Sequence, residues 1–434
     1  MPKNDFVTLA TKFEVMKKFN VPVIYRSPLI TAIKNRRKTD DKLKKDYTPS
    51  LLDFGDVQIY LARHFGFCFG VENAIEISFR TIEENPDKKI YLLSEMIHNP
   101  QVNDDLRSRG VEFLMDTKGN QQIPFEQLSP GDIVIVPAFG TTLQIQQKLL
   151  ESGVEIEQYN TTCPFVEKVW NRAQAIAKNN YTVIVHGKPQ HEETRATFSH
   201  SAVHSPTVVV KDMKEAIKLG TYISGANDPE KFYSDFAGQY SEGFKIESHL
   251  QRIGVVNQTT MLASDTQAIA EFLKETMIKK YELTEANIAE RFADTRDTLC
   301  YATNDNQGAV YALLDTPADL AIVLGGYNSS NTSHLVELCE VKLPTYFIGS
   351  EKEIISSKEI RHFKMHEKQE VTSLSYLPEK KPVKILITSG ASCPDALVEG
   401  VIRKITGFFN CNKTIEDVTK EFSTVLQNRE KVLA

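Results

Sequence analysis

The amino-acid sequence predicts an α/β protein made of three pseudo-equivalent small domains, each with a mostly parallel sheet of about four strands, arranged around a shared centre. Two observations lead to this prediction. From residue 57 onward, segments with the period of a strand alternate with segments with the period of a helix. The same order of elements also occurs three times, and each copy begins with a cysteine that opens a helix: Cys68, Cys163 and Cys300.

The first copy displays this pattern most clearly. Val57, Ile59 and Leu61 alternate with other residues at strand period, and the apolar positions after residue 70 recur at helix period. Cys68 is therefore predicted to lie on a loop between a strand and a helix. In open α/β sheets such loops follow the carboxyl ends of strands, where ligands bind, and the helix amino terminus behind them favours an anion such as a thiolate.

The remaining elements repeat the same order. Strands are predicted over residues 57–61, 90–93, 111–115 and 133–136 in the first copy, 182–185, 207–210 and 253–256 in the second, and 322–324, 345–348 and 385–387 in the third. Polar loops follow at residues 97–100, 137–140, 191–194, 257–260, 328–331 and 388–392. If all three copies present these strand ends to a common axis, the three cysteines converge there and the polar loops surround them.

The predicted boundaries follow from the repeats. We expect an amino-terminal extension over residues 1–56, repeats over 57–160, 161–296 and 297–408, and a carboxyl-terminal tail over 409–434. This division agrees with the usual domain size of about 150 residues. The extension contains a basic run at residues 34–45, which has no interleaved aromatic residues. We interpret that run as a solvated arm packed on the body of the protein rather than a nucleic-acid site.

Composition excludes several classes of protein. Hydrophobic residues make up 41% of the chain and charged residues 25%, as in an ordinary soluble globular protein. The net charge of -6 gives no general attraction to nucleic acid or to an anionic membrane. No apolar run approaches the ~18 residues of a transmembrane helix, and the first residues lack the features of a signal or transit peptide, so a cytoplasmic location is expected. The six scattered cysteines are predicted to be reduced thiols or metal ligands.

Three thiolates at one point fit two kinds of metal centre. One is a zinc site completed by His or water, and the other is an iron–sulfur cluster in which one iron has no protein ligand. A single cysteine is more often a small buried apolar residue, so the prediction depends on the matching placement in three repeats. Cys339 is interpreted as a core residue, Cys411 lies in the tail, and Cys393 is the competing candidate because it stands at a predicted helix start.

The polar loops indicate an anion. They are rich in hydroxyl, imidazole and amide side chains and, with helix-start amides, predict a site for a phosphate or diphosphate. Taken singly, Ser329, Ser330, Asn331 and Ser392 are more often ordinary helix caps. Glu193 is the one carboxylate centred in such a loop. It either complements a helix dipole or acts as a proton donor, in which case burial would raise its pKa.

Seven short motifs between residue 57 and about residue 408 are specific in combination. They are G-F-C-F-G-V at 66–71, I-H-N-P at 97–100, T-C-P at 162–164, Q-T-T at 258–260, C-Y-A-T at 300–303, N-S-S-N at 328–331 and S-G-A-S at 389–392. With these motifs the chain resembles the 4-hydroxy-3-methylbut-2-enyl diphosphate reductases of the non-mevalonate isoprenoid pathway. The resemblance implies a trefoil of three α/β domains around one 4Fe–4S cluster with three cysteine ligands and one open iron.

Carried over position by position, the resemblance implies roles for individual residues. Cys68, Cys163 and Cys300 become the cluster ligands. Glu193 becomes the proton donor to the leaving hydroxyl, and Thr259 is implied to hold the oxygen end of the substrate. The implied contacts to the substrate diphosphate are polar side chains from several loops: His98, His191, Ser329, Ser330, Asn331 and Ser392.

One position departs from the more familiar bacterial pattern of this family. Phe139 stands where that pattern has a second diphosphate-binding histidine, and a phenyl ring cannot donate a hydrogen bond. The amino-terminal extension and the residues at 191–194 look more like the branch of the family found in photosynthetic organisms. A plastid is the alternative to the expected cytoplasmic location if the source is a photosynthetic eukaryote.

The implied reaction is the last step of the pathway. Two electrons and two protons remove the hydroxyl group of an allylic alcohol diphosphate, which gives isopentenyl and dimethylallyl diphosphates plus water. The resemblance implies a ferredoxin or flavodoxin as the electron donor, and the chain has no flavin or nicotinamide fingerprint of its own. No nucleic-acid or membrane partner is expected. Two rival functions stay open: a zinc-dependent hydrolase acting on a diphosphate, and a non-catalytic iron–sulfur scaffold.

Overall fold

The structure is a computed structural model that describes residues 19–293 and 298–433. Three predicted features lie partly outside the described residues. They are the first 18 residues of the extension, the boundary between the second and third repeats at 296/297, and the last residue of the tail. None of the helices in the described ranges is long and apolar enough to cross a membrane.

The described part of the extension packs on the rest of the chain. Its helix α1 covers Pro28–Asp40, begins where the Ser27 side chain accepts a hydrogen bond from the Ile30 N–H, and buries Leu29, Ile30 and Ile33. The charges in the first part of the basic run are paired with carboxylates: Lys34 contacts Asp395 at 2.7 Å and Arg36 contacts Asp40 at 2.6 Å. The prediction of an arm packed on the body agrees with this arrangement.

The first sheet has three parallel strands in the order β4-β3-β5. Helices flank it, and Ile90 and Leu92 of β3 pack with Ile133 and Ile135 of β5 in its hydrophobic core. The elements of this unit, with the two strands that come before it in the chain, are β1 Ser50–Asp53, β2 Val57–Leu61, α2 Phe69–Glu84, β3 Ile90–Leu92, α3 Pro100–Ser108, β4 Glu112–Phe113, β5 Ile133–Ile135 and α4 Leu143–Glu151.

The second sheet also has three parallel strands, in the order β7-β6-β8. Every residue of these strands is buried, as expected for a parallel sheet with helices on both faces. The elements of this unit are α5 Pro164–Ala177, β6 Thr182–His186, α6 Glu192–Ala202, β7 Thr207–Val210, α7 Met213–Ser224, α8 Glu230–Asp235, α9 Ile246–His249, β8 Ile253–Asn257 and α10 Ala263–Tyr281.

The third sheet has five strands in the order β1-β2-β13-β9-β10, and a two-stranded hairpin of β11 and β12 lies beside it. All its pairings are parallel except that of β1 with β2. The elements of this unit are α11 Tyr301–Leu314, β9 Leu320–Leu324, α12 Ser330–Glu340, β10 Thr345–Ile348, β11 Glu359–Lys364, β12 Gln369–Leu374, β13 Val383–Ser389, α13 Asp395–Thr406 and α14 Ile415–Leu433.

The strand content of the repeats differs from the prediction of about four each. Strand β2, which was assigned to the first copy, pairs with β13 of the third sheet, with Val57 opposite Val383. The alternation of Val57, Ile59 and Leu61 identifies a strand but not its hydrogen-bonding partner, which is why the assignment was wrong. Counted by sheet, the described units contain three, three and five strands.

The segments that precede the other two cysteines likewise pair with the sheet of a different unit from the one that the cysteine opens. Asn160, before Cys163, forms a parallel bridge with Val136 at the end of the first sheet. Phe292, upstream of Cys300, forms a parallel bridge with Ile253 in the second sheet. In each case the chain therefore runs along one sheet before its cysteine opens the first helix of the next unit.

Backbone hydrogen bonds complete this cyclic arrangement. The N–H of Cys68 donates to the Ala391 carbonyl at 3.2 Å, in the loop after β13. The N–H of Cys163 donates to the Ala138 carbonyl at 3.0 Å, after β5, and the N–H of Cys300 donates to the Thr259 carbonyl at 3.3 Å, after β8. Each cysteine is thus held at the carboxyl end of a strand from a neighbouring sheet. This brings the three cysteines to one place.

Candidate active site

A cavity lies where the carboxyl ends of the three sheets meet. Its wall contains backbone and side chains from all three units. Every residue predicted for the site lines it: Cys68, His98, Cys163, His191, Glu193, Thr259, Cys300, Ser329, Ser330, Asn331 and Ser392.

The three thiols occupy equivalent positions. Cys68, Cys163 and Cys300 are the residues that precede α2, α5 and α11, so each side chain lies at a helix amino terminus. At Cys300 the Thr303 N–H lies 3.3 Å from Sγ and the Thr303 hydroxyl 3.1 Å from it. These donors and the positive ends of the helices favour negative charge on sulfur.

Burial opposes that charge. It raises the pKa of the Cys163 thiol to about 12. Burial also raises the pKa of Cys68, where repulsion from the thiolates of Cys300 and Cys163 adds to the effect. The pKa of Cys300 is raised by burial as well, against its hydrogen bonds from Thr303. Three thiolates at this position therefore require a cationic group among them, which is the chemistry of a metal centre.

Gly70 leaves the space beside the Cys163 thiol free. A Cβ atom at this position would lie only 2.6 Å from Sγ of Cys163. The other cysteines do not line the cavity: Cys339 and Cys393 are fully buried in the core of the third sheet, and Cys411 packs against the edge of that core. The competing candidate Cys393 is therefore a packing residue.

Glu193 is a carboxyl group deep in the cavity wall, with 1% of its surface exposed. It stands in the first turn of α6, and Thr259 donates twice to it: the N–H to Oε1 at 2.5 Å and the hydroxyl to Oε2 at 2.9 Å. Burial raises the pKa of Glu193 to about 7, although the two hydrogen bonds from Thr259 act in the opposite direction. The group can therefore hold or release a proton near neutral pH.

His98 is held by a buried carboxylate that the sequence did not single out. Its Nε2 lies 2.8 Å from Oε2 of Glu192, and the Ser94 hydroxyl donates to Oε1 of the same carboxylate at 2.5 Å. Glu192 directly follows His191 and so was part of the predicted loop. However, no sequence signal links it to a histidine 94 residues away.

Phe139 stacks on the His98 ring, with ring centroids 4.3 Å apart and planes 25° apart. The His191 ring meets both rings edge-on, at 5.1 Å from His98 and 5.6 Å from Phe139. Phe139 therefore supports the two imidazole rings by packing. Its phenyl ring has no hydrogen-bond donor to offer to a ligand.

Three buried donor atoms in the cavity wall have no hydrogen-bond partner among the described residues: His191 Nε2, Ser330 Oγ and Asn331 Nδ2. The Nδ1 atom of His191 accepts from the Glu193 N–H at 3.2 Å, which leaves the proton of the neutral ring on Nε2. Burial lowers the pKa of His191 well below its usual value, so the ring is neutral. Asn331 is oriented in the same way, because its Oδ1 accepts from the Ala391 N–H at 3.0 Å.

The other predicted polar residues of the wall already have partners. Ser329 precedes α12, and its hydroxyl oxygen accepts from the Thr332 N–H. The Ser392 hydroxyl donates to the His98 carbonyl at 3.1 Å. A helix start with Ser330 and Asn331 exposed to the cavity, next to neutral His191, is a site for an oxyanion. Unsatisfied buried donors cost free energy unless a ligand accepts from them.

These observations define a class of protein: an α/β fold with a three-thiol centre, a buried carboxyl group of raised pKa and an oxyanion site, all in one cavity. A family model described as "LytB protein" matches residues 59–406. The chain therefore belongs to the LytB protein family. This confirms the family that the motifs predicted, and the observed α/β fold with mostly parallel sheets confirms the predicted fold class.

The curated relatives have the same name. A 4-hydroxy-3-methylbut-2-enyl diphosphate reductase of Picosynechococcus sp. is 42% identical over 352 residues, which cover 81% of this chain and 84% of the relative. An enzyme of the same name from Prochlorococcus marinus is 40% identical over 359 residues, covering 82% and 85%. A solved structure of E-1-hydroxy-2-methyl-but-2-enyl-4-diphosphate reductase from Plasmodium falciparum shares the fold, with a TM-score of 0.58 and 22% identity over 86% of this chain and 98% of that one.

Proposed function

We propose that this chain is a 4-hydroxy-3-methylbut-2-enyl diphosphate reductase. The substrate would lose its hydroxyl group as water, with two electrons and two protons consumed, to give isopentenyl and dimethylallyl diphosphates. The observation that carries this proposal is the content of the cavity, where three thiols, the carboxyl group of Glu193 and an oxyanion site lie together. The names of the curated relatives at about 40% identity support the same activity.

Cys68, Cys163 and Cys300 would hold the 4Fe–4S cluster. When bound, such a cluster supplies single electrons and the Lewis acidity of an iron without a protein ligand. The residues fit this group, because three thiols that burial keeps from ionising face one space and Gly70 adds no side chain to it. The trefoil arrangement implied by the family is consistent with the cyclic contacts of the three cysteine N–H groups.

A single zinc ion fits the described residues less well. A zinc site requires its ligand atoms at about 2.0 to 2.3 Å from one point. In residues 19–293 and 298–433, no three His, Cys, Asp or Glu side chains lie close enough together to hold one metal ion. The names of the curated relatives support the reductase over the zinc-dependent hydrolase.

The oxyanion site would bind the diphosphate. His191, Ser330 and Asn331 supply the unpartnered donors, and His98 lines the same wall with its Nε2 held by Glu192. Ser329 and Ser392 complete this part of the wall. Phe139 gives no donor, so the remaining groups carry the binding, and its stacking on His98 holds that ring in position.

Glu193 would deliver the proton to the leaving hydroxyl. Hydroxide is a poor leaving group, and a carboxylic acid with a pKa of about 7 is protonated in half of the molecules at neutral pH. Thr259 holds Glu193 in place through two hydrogen bonds and itself lines the cavity, where its hydroxyl can contact the oxygen end of the substrate.

The electrons would come from a separate protein. Each turnover needs two electrons, and a ferredoxin or flavodoxin delivers them one at a time. The chain has no Gly-rich nucleotide fingerprint that would bind a flavin or a nicotinamide of its own. The location in the cytoplasm, or in a plastid, stays a prediction.

An anaerobic assay tests the proposed reaction. Protein purified without oxygen is mixed with the substrate and with methyl viologen reduced by dithionite, and the diphosphate products are separated by chromatography and identified by mass. We expect viologen oxidation with two electrons per substrate consumed and both isomers as products. Metal-loaded protein that consumes neither viologen nor substrate would identify the chain as a non-catalytic scaffold.

A further inference from the structure

An aromatic patch lies on the protein surface directly outside the three cysteines. Phe69 and Tyr301 each follow a cysteine in the chain and are 36% and 37% exposed. The Phe69 N–H donates to the Tyr301 hydroxyl at 3.0 Å, and the Phe165 ring lies 5.0 Å from that of Tyr301. Because consecutive Cα atoms are about 3.8 Å apart, the patch formed by Phe69, Phe165 and Tyr301 is only one or two residues from the cysteines.

A basic loop, residues 42–45, borders this aromatic patch. Lys44 Nζ lies 5.9 Å from the centre of the Tyr301 ring. The loop reads Lys-Leu-Lys-Lys, all four residues are exposed, and Leu43 is 75% exposed. This loop belongs to the basic run of the extension, and neither the fold nor the proposed reaction accounts for its exposed charges.

The lysines of the basic loop form no ion pair among the described residues, although Asp305 attracts Lys44 electrostatically. The acidic residues beside it are matched with arginines, since Asp41 lies 3.8 Å from Arg63 and Asp46 lies 3.0 Å from Arg37. Among the described residues, no carboxylate forms an ion pair with Lys42, Lys44 or Lys45. A local excess of positive charge therefore lies on a chain whose net charge is -6.

We propose that the aromatic patch and the basic loop together form the docking surface for the electron donor, a small acidic one-electron carrier protein. This inference rests on the proposed function, which requires two reduced carriers to dock in turn, each giving up one electron per encounter. An aromatic centre with a charged rim is the usual composition of a protein interface. Charge complementarity speeds such encounters and orients the partner.

The position of the surface favours a redox partner over other anionic partners. Nucleic acid and anionic membranes would also be attracted by lysines, but neither has a reason to lie over the residues that follow Cys68 and Cys300. A carrier protein has such a reason, because transfer of an electron requires a short path between the two redox centres.

Charge reversal of the basic loop tests this proposal. The variant Lys42→Glu/Lys44→Glu/Lys45→Glu is compared with the control Lys274→Glu/Lys279→Glu/Lys280→Glu, which makes the same change in net charge with exposed lysines of α10. Those control lysines lie about three to five helical turns from the start of α10, which is its end nearest the cavity. An acidic plant-type [2Fe–2S] ferredoxin serves as the probe.

Isothermal titration calorimetry gives the Kd for oxidised ferredoxin at low and at physiological salt, and turnover is measured with reduced ferredoxin and with reduced methyl viologen. For the loop variant we expect a Kd raised about 10-fold or more at low salt and a smaller salt dependence. We also expect slower turnover with ferredoxin but unchanged turnover with viologen. The control variant should bind and turn over like the wild type in both assays.

Three results would overturn the docking surface. The first is a loop variant that binds ferredoxin as tightly as the wild type, and the second is a control variant that loses as much affinity. The third is a loop variant that loses affinity for a DNA duplex or for phosphatidylserine vesicles while it keeps affinity for ferredoxin. Wild-type protein without viologen-driven turnover would instead contradict the proposed function, so the two failures are distinguishable.

Discussion

At the scale of single residues, the site depends on buried polar groups, some of which have no hydrogen-bond partner within residues 19–293 and 298–433. Glu193 is held by Thr259 at 2.5 and 2.9 Å, and burial raises its pKa to about 7. His191, Ser330 and Asn331 each keep a donor atom without a partner among the described residues. Buried groups of this kind are costly in a folded protein and are therefore typical of binding and catalytic sites.

The variant Glu193→Gln tests the proton donor. Glutamine preserves size and can still accept from the Thr259 N–H, but it cannot give up a proton to the leaving hydroxyl. We expect turnover with reduced viologen to fall by ~10² to 10⁴, the usual contribution of general acid catalysis, with iron content and substrate affinity unchanged. Glu167→Gln, an exposed residue in the first turn of α5, is the matched control. Wild-type turnover in Glu193→Gln would remove Glu193 from the mechanism.

The pH dependence of turnover follows from the same group. A general acid acts in its protonated form, so the fraction of active enzyme is constant below the pKa of Glu193 and falls about tenfold per pH unit above it. With a pKa of about 7, we expect kcat to decline on the alkaline side of neutrality. Rates measured from pH 5.5 to 9 with pre-reduced viologen check this expectation. The decline should be absent from the residual activity of Glu193→Gln.

The sequence was enough to predict which residues belong to the site, because they recur in matching loops. It was not enough to predict which distant residues contact each other. The residues predicted for the site all line the cavity, because they stand at helix starts and strand ends that the hydrophobic period locates. The contact of Glu192 with His98 joins two units, and the stacking of Phe139 on His98 also depends on how the units pack. Neither is encoded in local spacing.

At the scale of elements, helix starts and strand ends position the chemistry. Helices α2, α5 and α11 each begin directly after a cysteine, as the sequence predicted. Strand β2 lies in the third sheet instead of the first, because an alternating pattern specifies which face is buried and leaves the partner strand open. The three-copy pattern was therefore visible in the sequence, whereas the exchange of strands between units was not.

Gly70→Ala tests the packing of α2 against the thiol of Cys163. The added methyl group would lie 2.6 Å from Sγ, closer than van der Waals contact allows, so the thiol or the helix must move. We expect iron per chain to fall to about half of the wild-type value or less while the protein stays folded by circular dichroism. Gly349→Ala is the control, since its nearest neighbour would be 3.9 Å away. Equal iron contents in the two variants would contradict the tight packing.

At the scale of the whole molecule, three sheets contribute to one centre through equivalent contacts. Each cysteine N–H donates to a carbonyl in the loop after the last strand of a neighbouring sheet, at Ala391, Ala138 and Thr259. No unit contains a complete site, since the thiols, the carboxyl group and the oxyanion donors come from different sheets. The cavity therefore exists only when all three units are folded together.

Metal and sulfide content tests the central claim most directly. Iron, zinc and acid-labile sulfide are measured in protein purified anaerobically, for the wild type and for Cys68→Ser, Cys163→Ser, Cys300→Ser and Cys393→Ser. We predict about four iron and four sulfide per chain in the wild type and in Cys393→Ser, with loss of iron in each of the other variants. One zinc per chain without sulfide, or loss of iron in Cys393→Ser alone, would contradict the proposed three-cysteine cluster.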